Sequence, residues 1–93
     1  MSTNQAQSNL KKNKLKFAVT ITLKRDVLDP QGKVVKQTLQ GMGMNKLINL
    51  RQGKYFEIEI NETTEEKAKD SIKIMCEKLL ANLIIEDFKI TKI

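Results

Sequence analysis

Histidine and tryptophan are absent from this 93-residue chain, and there is one cysteine and one proline. Without imidazole, histidine-based acid–base chemistry and a Cys/His zinc site are excluded. A lone thiol cannot build an intramolecular disulfide framework, and it fits a reducing compartment. Long apolar runs are missing too: Leu79–Ile85 is broken by Asn82, far short of the ~18–20 residues that cross a bilayer. The length allows one domain with a modest core, for which oligomerisation is a natural supplement.

Positive charge is in excess, with 17 Lys and Arg against 11 Asp and Glu, a net charge of +6. That balance invites a nucleic-acid reading. Its distribution argues otherwise: Lys11, Lys12, Lys14 and Lys16 supply four of the cations, and residues 17–93 hold thirteen bases and eleven acids. The first fourteen residues are polar, with Leu10 their one large apolar side chain. Such a stretch buries too little to offset the entropy of ordering it, and it reads as a disordered basic tail before a domain spanning 15–93. It lacks an apolar signal region and arginine, so a cytoplasmic location is expected.

From Leu15 the pattern changes. Leu15, Phe17, Val19, Ile21 and Leu23 alternate with Lys16, Ala18, Thr20 and Thr22, the period of a half-buried strand. Asp29-Pro30 is a helix entrance, with the carboxylate as cap and proline in the first turn. Val34, Val35, Thr38, Leu39 and Met42 then share one helical stripe, and Gly41 and Gly43 end it. Leu47–Arg51 reads as a second strand, Gln52-Gly53 as a two-residue turn with positive φ at the glycine, and Lys54–Ile60 as a third strand. Thr63 and Glu66 form a capping box opening a helix to about Ala81, whose apolar arc is Ala68, Ile72, Met75, Cys76, Leu79 and Leu80. Ile84 to Ile90 closes the chain as a strand. The order β-α-β-β-α-β predicts an α+β, ferredoxin-like fold: a four-stranded antiparallel sheet with two helices on one face. Lys16, Ala18, Thr20, Thr22, Tyr55, Glu57 and Glu59 would line the open face.

Few residues point to chemistry. Glu57 and Glu59 share a strand face, but a general acid needs a desolvating pocket, and an exposed Lys-rich sheet face offers none. Cys76 lies within an apolar arc and reads as a small hydrophobe. Gly32-Lys33 at a helix start lacks the glycine-rich lead-in and GK[ST] ending of a phosphate loop, and Asp29 would occupy the anion's place. An RNA-recognition platform would stack bases on third- and first-strand aromatics. The third strand instead carries one outward ring, Tyr55, beside two acids. A small RNA-binding module is the alternative function, and a ligand-binding regulatory domain a weaker third. The small outward residues suit packing against another protein, and Ile74, opposite the apolar arc, is a candidate contact.

Three segments carry a family resemblance. Val27-Leu28-Asp29-Pro30-Gln31-Gly32-Lys33 follows the first strand. Arg51-Gln52-Gly53-Lys54-Tyr55 has the form R-x-G-K-Y. Met75-Cys76-Glu77-Lys78-Leu79-Leu80-Ala81-Asn82 precedes Ile85-Glu86-Asp87-Phe88. In order and spacing, from about Leu15 to Ile90, these resemble the PurS family, small subunits of phosphoribosylformylglycinamidine (FGAM) synthase. Leu83 departs from a usual proline and Phe88 from a usual tyrosine. The resemblance implies a subunit without catalytic residues, cofactor or metal site of its own, since ATP and magnesium belong to the large PurL-like synthetase. It implies self-association as a dimer or tetramer and bridging of that synthetase to a PurQ-like glutaminase, so that ammonia passes between them. Asp29, Gly32, Gly53, Lys54 and Tyr55 are then expected to shape the loops that meet partners.

Overall fold

The computed structural model describes residues 13–93, and the remainder of the basic tail lies outside the described residues. Three strands and two helices alternate: β1 (Asn13–Leu23), α1 (Pro30–Gly41), β2 (Gly53–Glu62), α2 (Glu65–Met75), a π-helical turn (Cys76–Leu80) and β3 (Glu86–Lys92). The sheet is antiparallel with β1 in the centre, in the order β2-β1-β3. Asn13 and Lys14, assigned from sequence to the tail, already pair with β2.

Alternation along β1 decides which face is buried. Phe17 pairs with Ile58, Val19 lies between Phe56 and Ile90, and Ile21 faces Phe88. These rows point at α2, whose Ala68 and Ile72, with Cys76 of the following turn, complete the buried cluster. Burial, and then the neighbouring Glu77 carboxylate, push the Cys76 thiol above its ordinary value. The side chain therefore acts as a neutral apolar filler of the core. On the outward rows Ala18 is nonetheless buried, because a methyl group between larger neighbours is shielded by them.

Four expectations are corrected. Leu47–Arg51 forms no strand, so three strands are present among the described residues rather than four. Its apolar residues fall at 47, 48 and 50, which is not the alternation a half-buried strand needs. Side chains hold its backbone instead, with Gln40 Nε2 donating to the Leu47 carbonyl at 2.8 Å. With no strand before it, Gln52-Gly53 is not a hairpin turn. Gly53 opens β2 opposite Thr22, and Gly43 is the positive-φ glycine of the described residues, at φ 103°. Thr64, not Thr63, caps the second helix, its hydroxyl accepting from Lys67 N–H at 3.1 Å. Thr63 is engaged with Glu62.

The helices also differ from expectation. The α-helical ladder of α2 widens after Met75, with Ala81 N–H donating to the Cys76 carbonyl at 3.0 Å. The wider turn shifts the apolar arc and leaves Leu79, expected in the core, on the surface. The first helix was expected to cover the sheet beside the second. It contributes Gly32 to the buried set and nothing to the core cluster, and Val34 is 61% and Met42 69% exposed. Its capping and stop signals are local, whereas its docking depends on a partner face that this sheet does not provide.

Leu83, the departure from proline, sits in the turn before β3. Asn82 organises this turn: its side chain accepts from Ile84 N–H at 3.1 Å, and its carbonyl from Ile85 and Glu86 N–H. These bonds delay β3 to Glu86, two residues after the expected Ile84. Leu83 follows the first residue of an i to i+3 turn and has no backbone bond that proline would remove, a position proline favours. Leu83→Pro is expected to raise stability by about 0.5–1 kcal/mol, read as a higher urea midpoint at unchanged slope.

Candidate partner-binding surface

Four of the six singled-out residues meet at one end of the sheet. Asp29 caps α1 through Oδ1, which accepts from Gly32 N–H at 2.9 Å, while Oδ2 accepts from Gln52 N–H at 2.9 Å. One carboxylate thus joins the start of a helix to the residue before β2. Gly32 is required by this geometry, because a Cβ there would lie 2.8 Å from Asp29 Cγ and 3.0 Å from the Leu50 carbonyl oxygen. Gly53 is required by another close approach, since a Cβ would overlap the Ile21 carbonyl oxygen of β1. Lys54 reaches the other way. Its Nζ donates to the Leu80 carbonyl at 3.1 Å and lies 3.5 Å from Glu86 Oε1, which also accepts from Asn82 N–H at 2.7 Å. Lys54 therefore satisfies a carbonyl that the π turn leaves free and ties β2 to the chain entering β3.

Tyr55 and Ile74 stand apart. Tyr55 points from the open sheet face beside Thr20 and is 62% exposed, whereas Ile74 lies on the outer side of α2 and is 50% exposed. The two sit on opposite layers and cannot belong to one small site. Phe17, Phe56 and Phe88 pack in or against the core, so Tyr55 is the outward ring of the described residues. Beside it on the same strand face stand Glu57 and Glu59. A single ring flanked by carboxylates is a poor platform for a phosphate backbone.

Arg51 organises this end of the molecule, although sequence reasoning gave it no such role. Its guanidinium donates to the carbonyls of Lys24 at 3.1 Å, Arg25 at 3.3 Å and Val27 at 2.8 Å. Gln52 adds a side-chain bond to Gln31 at 2.6 Å. The R-x-G-K-Y pattern contains both residues, but their acceptors lie more than twenty positions away, and backbone carbonyls leave no trace in a sequence. Among the described residues no group of three or more His, Cys, Asp and Glu is placed to hold a metal ion. Nor is any helix among them long and apolar enough to cross a membrane.

The hydrogen bonds from Gln52 N–H and then Gly32 N–H, with the Arg51 charge nearby, hold the Asp29 carboxyl below its ordinary value of 3.8. A depressed folded value means the ionised form is favoured by folding. Its contribution is complete above the unfolded value and lost as pH falls through the folded one. The stability advantage of the native chain over Asp29→Asn should therefore be constant above about pH 5 and shrink below about pH 4. Urea unfolding of both chains across that range measures it.

Comparison with known proteins supplies the context. Residues 16–93 match the family model described as PurS: Phosphoribosylformylglycinamidine (FGAM) synthase. The chain is 45% identical over 74 residues to the phosphoribosylformylglycinamidine synthase subunit PurS of Bacillus subtilis (strain 168), covering 80% of this chain and 87% of that protein. It is also similar to the crystal structure of PurS from Methanocaldococcus jannaschii. That protein is one of the subunits of formylglycinamide ribonucleotide amidotransferase in the purine biosynthetic pathway, and the match has a TM-score of 0.77 and 38% identity over 85% of this chain and 95% of the other. A chain of the PurLQS structure from Thermotoga maritima superposes with a TM-score of 0.82 at 28% identity, covering 87% and 99%. A match that runs from the fourth residue of β1 to residue 93, with the Asp29 cap, the Gly53 approach and the Lys54 tie inside it, places this chain in the PurS family of FGAM synthase subunits.

Proposed function

We propose that this chain is the non-catalytic assembly subunit of its FGAM synthase, bridging a PurQ-like glutaminase and a PurL-like synthetase. The observation that carries the reading is the likeness to a chain of a PurLQS complex. Asp29, Arg51, Gln52 and Lys54 spend their hydrogen bonds on main-chain groups and on one another's loops. In this reading glutamine hydrolysis and ATP- and magnesium-dependent activation belong to the partners, and this chain carries no cofactor. Bridging supplies proximity: holding two sites together raises the effective concentration of ammonia at the second. A shielded path also keeps ammonia unprotonated, with its lone pair free to attack the activated amide. The pathway suits a cytoplasmic location.

Self-association as a dimer or tetramer belongs to the same proposal. The Val34, Val35 and Met42 side of α1 is exposed, and among the described residues β2 pairs through one edge only. Unpaired strand edges and apolar helix stripes are surfaces that a second copy covers. The finer ferredoxin-like plan, with a fourth strand beside β2, would be completed in that assembly.

Reconstitution tests the function. Glutamine-dependent amidine synthesis by the two catalytic subunits should fail when this chain is withheld, while ammonia-dependent synthesis continues. Equal glutamine-dependent turnover with and without it would refute the bridging role. The native mass of the chain alone tests self-association, with a monomer as the refuting result.

A further inference from the structure

The loop between β1 and α1 is tied down by hydrogen bonds although it buries no large side chain. Arg51 ties three of its carbonyls, Val27 N–H donates to the Lys24 carbonyl at 3.0 Å, and Asp29 anchors its end. At its tip Leu28 is 86% exposed. Beside Leu28 is an open concavity of about 430 Å³ whose charged lining is Arg25, Lys33, Lys36 and Arg51 against Asp26 and Asp29. Asp29 is committed to backbone N–H groups and Arg51 to carbonyls. Arg25, Lys33 and Lys36 make no ion pair among the described residues, and with Arg51 they outnumber the two carboxylates of the lining, Asp26 and Asp29.

We propose that this loop is a docking knob: Leu28 inserts into an apolar socket of a catalytic subunit, and Arg25, Lys33 and Lys36 meet acidic residues on the socket rim. The inference rests on the assembly reading and names the surface it uses. A rigid loop enters a complex without the entropy loss of ordering it then, which is the advantage of preorganisation. An apolar anchor ringed by charge has the anatomy of an interface hot spot with its polar rim. Unpaired cations on one side of a contact select a partner of opposite sign and speed the encounter. The concavity is open, and its apolar side is formed by Val27, Leu28, Leu50 and the first residue of α1, Pro30, which suits a protein segment better than an enclosed small molecule.

The test uses the full chain with the synthetase and glutaminase subunits, following binding by sedimentation at several salt concentrations. The triple variant Arg25→Glu, Lys33→Glu, Lys36→Glu should fold as the native chain does by circular dichroism and keep its native mass. It should bind the catalytic subunits about a hundredfold more weakly and lose most of the salt dependence. Leu28→Ala should weaken binding about tenfold and leave the salt dependence intact. The control Lys67→Glu, Lys73→Glu on α2 should bind normally. Unchanged binding by a folded triple variant overturns the knob while the assembly reading stands. A reduced native mass would assign the patch to self-association, and native-chain binding of pyrophosphate, lost in the triple variant with assembly intact, would assign it to a small anion; either overturns the proposal. A native chain that binds neither catalytic subunit refutes the assembly reading itself.

Discussion

Replacing Phe17 with alanine is expected to remove most of the stability of this chain. Phe17 is fully buried at the centre of the sheet, paired with Ile58 on one side and opposite Lys92 on the other. Deleting a buried ring costs about 3–5 kcal/mol, in lost transfer energy and in the cavity left behind. A domain this small sits near the low end of the roughly 5–15 kcal/mol typical of folded proteins. Relaxation offers little relief, because Phe17 sits on the one described strand paired along both edges and packs beside the stiff, β-branched Val19 and Ile58. Thermal unfolding should fall by more than about 15 °C or lose cooperativity. Tyr55→Ala, on the exposed face, should change stability by less than about 0.5 kcal/mol. A Phe17→Ala melt within a few degrees of the native one would show that assembly rather than this core sustains the fold.

Gly53→Ala is the second large effect, and its sign follows from distance rather than from backbone freedom. The added methyl would collide with the Ile21 carbonyl oxygen and stand 3.3 Å from Thr22 Cγ2. Both neighbours belong to the central strand, so β2 must move. Overpacking of this kind costs about 1–3 kcal/mol. Gly41→Ala is the instructive partner. At Gly41, the last residue of α1, a Cβ meets nothing within 4 Å. There the same exchange should stabilise by up to about 1 kcal/mol by reducing the freedom of the unfolded chain. Urea midpoints for the two variants should move in opposite directions. If both rise, the start of β2 is free to shift away from β1.

Local signals in this chain are legible from the sequence, and long-range ones are not. β1 and β2 were legible because alternation records a difference between two faces that each residue feels directly. The entrance of α1 was legible because Asp29 and Pro30 act within one turn. Thr63 and Thr64 are adjacent and equally able to cap, and the choice between them depends on where β2 ends and Glu62 turns back. The stripe of α1 was read as core because amphipathicity shows that a face wants cover, not what covers it. Leu47–Arg51 reads as a strand, although Leu47 has its carbonyl bonded by the Gln40 side chain and its N–H by the Met44 carbonyl rather than by a neighbouring strand.

The candidate surface divides in the same way. Motif residues such as Gly32, Gly53 and Lys54 stood out in the sequence, but their reasons did not. A glycine needed for a close backbone approach is indistinguishable, as a letter, from one needed for a positive φ. Arg51 was visible as part of R-x-G-K-Y, and its role appears only once residues 24–27 have been brought beside it.

By itself the sequence determined the faces of β1 and β2, the two amphipathic helices and the family. Each of these rests on nearest-neighbour periodicity, composition or motif order, which need no knowledge of distant contacts. Only the tertiary structure decided that the three described strands pack one face against α2, that α1 stands outside the core, and that Arg51 ties down a loop carrying Leu28. Those outcomes depend on backbone carbonyls and N–H groups meeting side chains far along the chain. Every residue but proline carries the same main-chain donor and acceptor, so no sequence pattern distinguishes the ones that are used.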